Sequence, residues 1–267
     1  MTDSSKIVKA TSEPNQTKRV FLQNETNEPY LHARLYYAFR DEKALIKTLE
    51  RRKCIYFENP KMFFILYNNE AKNAPLFVPY DQVESEDITT LGMGQIRNNE
   101  LVIDASSAPR MLGVAQFMYK YIDSKFAYIT HIAIKNQLLT GTAEEIADEE
   151  FAEALTSPDY DVLFDKKELL TQMQSENNSK LDDYDEPSRE IPLIQIHKIT
   201  NTKNGIDAID MLSKFALFTA MLREEQHQKG IDSVTFNELT NFMAKRFDRM
   251  GHYTPHVHDE HCKHHHD

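Results

Sequence analysis

The chain has 267 residues, 40% of them hydrophobic and 27% charged, with seven glycines, no tryptophan and a formal charge of −11. That length gives ample core for one large domain or two modest ones. The acidity argues against a nucleic-acid backbone as partner, which needs clustered Lys and Arg, and so few glycines disfavour a glycine-rich phosphate loop.

Residues 1–29 are polar and read as a flexible N-terminal arm with no apolar signal core. Tyr30 to Phe39 is ambiguous: Leu31, Leu35 and Phe39 fit a helical stripe, while the tyrosines suit a strand. Ala44, Leu45, Ile46 and Leu49 among charges predict a short amphipathic helix, closed by basic Arg51, Arg52 and Lys53 at its dipole's negative end. Cys54–Phe57 and Met62–Tyr67 flank an Asn59-Pro60 turn and predict a hairpin. Leu76–Val78, between Pro75 and Pro79, reads as an edge strand. Gly94–Arg97 and Glu100–Ile103, around Asn98-Asn99, form a second expected hairpin.

A strand–helix–strand unit follows. Leu101–Ile103 is the first strand, and Ser106 or Ser107 caps a helix with Pro109 in its first turn. Met111, Leu112, Ala115, Met118, Tyr119 and Ile122 recur at helical spacing, and Phe126–Lys135 is a β-branched strand.

The composition then changes. Thr142–Glu190 holds sixteen Asp or Glu against four Lys or Arg, so the whole net acidity of the chain lies there. Thr142 and Glu145 make a capping box before Ile146, Phe151 and Leu155, a second helix is expected near Asp165–Gln174, and Ser175–Ser188 reads as linker. Ile191–Ile199 alternates as a strand that returns to the sheet. A long helix covers Ile206–Gln228, and a last one, boxed by Thr235 and Glu238, covers Ser233–Met250 before Gly251.

The expected fold is α+β, a mixed or antiparallel sheet with helices on one face, a C-terminal helix pair and disordered termini. The expected organisation is an arm over 1–29, an α+β domain over 30–139 and an acidic helical connector over 140–190. A strand plus helix pair over 191–250 and a His-rich tail over 251–267 complete it.

That tail carries the sharpest chemistry. His252, His256, His258, His261, Cys262, His264, His265 and His266 put seven of the eleven histidines and one of the two cysteines within seventeen residues. Imidazole and thiolate are donors for borderline cations such as zinc and nickel. Eight donors exceed one four-ligand site, which favours buffering, delivery or sensing over one fixed tetrahedron, and no paired Cys-x-x-Cys knuckle marks a structural zinc module. The donor run is interrupted by Asp, Glu and Lys, unlike an unbroken polyhistidine tag. His227, at the end of the penultimate helix, could share a metal with the tail.

Other constellations carry less. Asp104, Ser106, Ser107 and His131 supply the residue types of a hydrolytic triad without a G-x-S-x-G elbow. The start of the helix at Ser107, with Arg110, could hold an anion. Gly230–Leu239 echoes the end of a calcium loop, yet His227, Lys229 and Ile231 fall where oxygen ligands are needed. Cys54 reads as a small core residue. The expectation is therefore a metal-binding protein, with a regulatory or interaction module whose residues 142–190 contact a protein partner as the alternative. Two distant cysteines and the lack of an apolar run near the roughly 20 residues of a membrane span place it in the cytoplasm, away from membranes.

Overall fold

The structure, a computed structural model, describes residues 20–24, 27–68, 88–97, 100–179 and 189–249. In chain order its elements begin with β1 (Val20–Phe21), β2 (Ala33–Phe39), α1 (Glu42–Glu50), β3 (Ile55–Asn59) and β4 (Met62–Asn68). They continue with β5 (Ile88–Arg97), β6 (Glu100–Ala105), α2 (Ala108–Tyr121), β7 (Ala127–Lys135) and β8 (Thr140–Gly141). The acidic segment forms α3 (Ala143–Ala147), α4 (Glu149–Thr156), α5 (Tyr160–Leu163) and α6 (Lys166–Ser179). The chain then makes β9 (Ile194–Lys198), α7 (Lys203–His227) and α8 (Phe236–Arg249).

Seven strands form one sheet in the order β3-β4-β5-β6-β2-β7-β9, with every neighbouring pair antiparallel. The fold is α+β, and both expected hairpins are present as β3–β4 and β5–β6. The ambiguous stretch at Tyr30–Phe39 leads into and forms β2, an interior strand with a partner on each side. Its odd residues Leu31, Ala33, Leu35, Tyr37 and Phe39 are buried in the main core, and its even residues His32, Arg34 and Tyr36 face the other way. β6 and β7 both run antiparallel to β2, so the strand–helix–strand unit is split: α2 connects two mutually parallel strands with β2 lodged between them.

The main core joins one sheet face to α1, α2 and α7. α2 starts as expected, with Ser107 as N-cap accepting from the Arg110 N–H. α7 is the longest helix and lies along α2, burying Ile206, Ile209, Ala216 and Ala220. Its first turn is held by Thr202, whose hydroxyl accepts from the Gly205 N–H. A Cβ on Gly205 would sit 2.0 Å from the Thr200 carbonyl oxygen, a backbone atom that cannot swing aside. Alanine is normally better than glycine in a helix by about 1 kcal/mol, but here the clash dominates. Gly205→Ala is expected to destabilise the protein by about 1–3 kcal/mol; a midpoint in urea equal to or above the wild type's would contradict this contact.

A small satellite core forms where α7 and α8 close against Ile191 and Val234, with Leu222 and Leu239 buried between them. The Thr235–Glu238 capping box opens α8. The other box, Thr142–Glu145, opens α3, but Asp148 caps α4 at once and divides the helix expected to run through Phe151. α6 continues to Ser179, into residues expected to be linker.

The acidic segment also does something its composition does not announce. α5 and α6 pack on the sheet face opposite α2 and α7, where Phe164 and Leu169 cover Tyr36, Val102, Ala133 and Ile196. β2, β6 and β7 thus carry apolar residues on both faces, so one layer of helices cannot bury them. α3 and α4, by contrast, contain no buried residue. Among the described residues, no helix is long and apolar enough to cross a membrane. Leu76–Val78, Gly251 and the tail lie outside the described residues.

Candidate functional site

The even residues of β2 build a polar cluster beneath the acidic segment. Arg34 is 3% exposed and grips Asp104 of β6 with both ends of its fork, at 2.6 and 2.8 Å. A third guanidinium N–H reaches Asp161 of α5 at 2.5 Å. Asp161 in turn pairs with Arg97. Lys166 pairs with Glu100 and lies over the Tyr36 ring, 4.6 Å from its centroid. The Tyr36 hydroxyl donates to the Phe164 carbonyl at 2.9 Å. Burial works against both members of the central pair: it pushes the Asp104 carboxyl up while Arg34 pulls it back. Burial alone would also lower the guanidinium, but Asp104 and then Asp161 raise it, so Arg34 keeps its charge.

His32, one position before β2, is 1% exposed and ties down α4 and α5. Its Nε2 lies 3.0 Å from the Leu155 carbonyl, which can only accept, so the proton sits on Nε2. Nδ1 therefore accepts from the Tyr160 hydroxyl at 2.9 Å. Burial lowers the His32 pKa to about 4, and it is neutral at pH 7.

These contacts dispose of the triad considered from residue types. Asp104 is engaged by Arg34, and β2 separates it from His131, which lies two strands across and two residues further along, more than about 10 Å away. Ser107 is the N-cap of α2 and donates to the Glu28 carboxylate at 2.6 Å. The anion position at the start of α2 is likewise filled from within: Glu28 sits there, 3.4 Å from the Arg110 Nε. A cavity of about 350 Å³ opens beside these groups, lined by Met93, Asp104, Ser106, Arg110 and Tyr160 among others. Its carboxylate and its guanidinium are already paired within the chain, and His131 is not in its wall. Cys54 is 1% exposed and belongs to the main core.

The end of α7 is chemically more open. α7 terminates at His227, and Gly230 takes a positive φ of 75° to turn the chain. The turn carries Asp232 back to His227, whose Nδ1 lies 3.1 Å from the Asp232 carboxylate. Both side chains are exposed, at 58% and 88%. Next to them is a cavity of about 340 Å³ whose wall includes Glu190, Arg223, Glu224, His227 and Asp232. Arg223 is fixed there by donating to the Ile191 carbonyl.

The predicted metal ligands His252, His256, His258, His261, Cys262, His264, His265 and His266 lie outside the described residues. Within the described residues, no group of three or more His, Cys, Asp or Glu is placed to hold a metal. His197 of β9 lies across from Ile132, on the sheet face shared with α7, and burial lowers its pKa. The clusters around Arg34 and His32 escaped sequence reasoning. The available signal was a charged residue in the middle of an otherwise apolar and aromatic stretch, LHARLYYAF. Compared with protein-family models, with curated proteins and with solved structures, the chain matches none.

Proposed function

We propose that this is a cytoplasmic metal-binding protein whose C-terminal residues take up zinc or nickel for buffering, delivery or sensing. The observation that carries this reading is the donor density after Gly251: seven histidines and one cysteine in the last sixteen residues. Those ligands match cations of intermediate softness, and calcium or magnesium would instead require an all-oxygen set. The charged groups around β2, namely Arg34, Asp104, Arg97, Asp161, Lys166 and Glu100, pair with one another, and the tail is the densest run of His and Cys donor types in the sequence.

Calorimetric titration with zinc and nickel tests this on the full-length chain. The comparison is a full-length variant in which the seven tail histidines are alanine and Cys262 is serine. The wild type is expected to bind at least tenfold more tightly, a difference of about 1.4 kcal/mol or more. Equal affinities, or no uptake by either protein, would overturn the reading.

A further inference from the structure

We infer that the groove between the end of α2 and the start of α7 binds a small apolar monocarboxylate, its hydrocarbon body against the aromatic wall and its carboxylate at Lys120 and Lys203. The inference is independent of metal uptake by the tail.

The groove follows from how the two helices meet. The C-terminal half of α2 and the first turn of α7 enclose a cavity of about 290 Å³, near the lower end of the roughly 300–1,000 Å³ typical of small-molecule sites. Gly113 of α2 lines it and has no side chain to fill it. Phe117 and Ile206 line it too, and both are buried members of the main core, so the inner wall is hydrocarbon. Tyr121 packs against Phe117 with ring centroids 5.3 Å apart, and Tyr119, also in the wall, is 42% exposed. Such a surface favours an apolar body that leaves water to cover it.

The charges select the end group of that body. Lys120 and Lys203 line the same groove, both exposed, and neither is in an ion pair among the described residues. Arg52 adds a third cation behind the wall: its guanidinium lies 5.3 Å from the Tyr121 ring centroid and donates to the Tyr121 carbonyl at 2.7 Å. The Lys120 Nζ lies 5.0 Å from the same ring. Asp207 is the acid in the wall, and Asp123, just past α2, pairs with Lys125. The groove is thus locally cationic in a chain of net charge −11, which favours an anionic end group over a neutral or cationic one. The cavity beside Arg110 has its charged groups paired within the chain, and the cavity beside His227 is walled by Glu190, Glu224 and Asp232. Neither offers this combination.

The test uses octanoate as the probe, with 1-octanol and octylammonium as its neutral and cationic counterparts. Each is titrated by calorimetry into the full-length protein and into its Lys120→Gln/Lys203→Gln variant. Both lysines are exposed, so the variant is compatible with folding. The wild type is expected to bind octanoate more tightly than 1-octanol, and octylammonium most weakly. The double variant is expected to bind octanoate about fivefold more weakly, the combined effect of two exposed charge contacts, and 1-octanol as the wild type does. Added salt should weaken octanoate binding and leave 1-octanol unaffected. A second variant, Gln116→Trp, puts a large ring into the groove and should weaken both octanoate and 1-octanol. Octanoate should shift amide resonances at residues 113–121 and 203–207. No saturable uptake of octanoate by the wild type, an unchanged affinity in the double variant, or resonance shifts confined to other residues would each overturn the inference. Octanoate affinity that falls as protein concentration rises would mean that a second copy fills the groove, and would overturn it too.

Discussion

Arg34→Met is expected to cost the fold about 3–5 kcal/mol at pH 7. Methionine keeps much of the arginine stem's volume and removes only the fork. Asp104, 7% exposed, would then lose both strong hydrogen bonds while remaining largely shielded from solvent. It must stay charged and unpaired, or take up a proton. Protonation at a pH above the carboxyl's natural range costs about 1.4 kcal/mol per pH unit. The loss is therefore expected to shrink as the pH falls from 7 toward 5, where the neutral acid is easier to form. The companion variant Arg34→Met/Asp104→Leu removes the stranded carboxyl and should recover much of the stability, since apolar replacement of both members of a buried pair is often near neutral. Urea unfolding at the two pH values measures all of this. A loss below about 1 kcal/mol for Arg34→Met at pH 7 would mean that the pair is solvated.

The second large effect is acid sensitivity through His32. Its folded pKa is depressed to about 4 against an ordinary value of 6.5. Between those values the unfolded chain binds a proton that the folded protein refuses, so stability falls as the pH drops through 6.5 and levels off near 4. The contribution of His32 is on the order of 3 kcal/mol over that window. Burial also lowers His131 and His197, which add in the same direction. Asp161 acts lower still: held near 2, chiefly by Arg97, its stabilisation is lost only below the ordinary carboxylate range. A His32→Gln variant should unfold with a distinctly shallower pH dependence from 6.5 to 4, whatever its stability at pH 7. The same slope in variant and wild type would rule out this histidine as the source.

The ambiguity at Tyr30–Phe39 shows how far residues alone can lead. Leu31, Leu35 and Phe39 are four apart, and four is close to one helical turn and also two strand repeats. The tie is broken by Ala33 and Tyr37, which lie on the same buried side in the strand. Amphipathic α1 and the capped starts of α2, α3 and α8 were legible because their signals are local: a cap, a box, a repeat of apolar residues. The placement of the acidic segment was not. Its charge suggested solvent, but Tyr160, Phe164 and Leu169 are enough to seat α5 and α6 on the sheet. Nothing within that segment indicates that Arg34, some 127 residues earlier, waits for Asp161. The same holds for the end of α7. His227 was visible as a lone histidine, whereas its partner Asp232 depends on the turn at Gly230.

The lodging of β2 between β6 and β7 has a consequence for how the chain is made. β3, β4, β5 and β6 follow one another as neighbours in the sheet and can pair by short-range contacts as they leave the ribosome. β2 is synthesised before all of them, yet its first partner lies 70 residues downstream, where Arg34 meets Asp104. Its second flank needs β7, and the sheet is finished only when β9 arrives. During translation this interior strand thus spends the longest time without its hydrogen-bonding partners, with Leu35, Tyr37 and Phe39 uncovered. His32 and Arg34 interrupt what would otherwise be a continuous apolar run, the kind of interruption that discourages self-association of nascent strands.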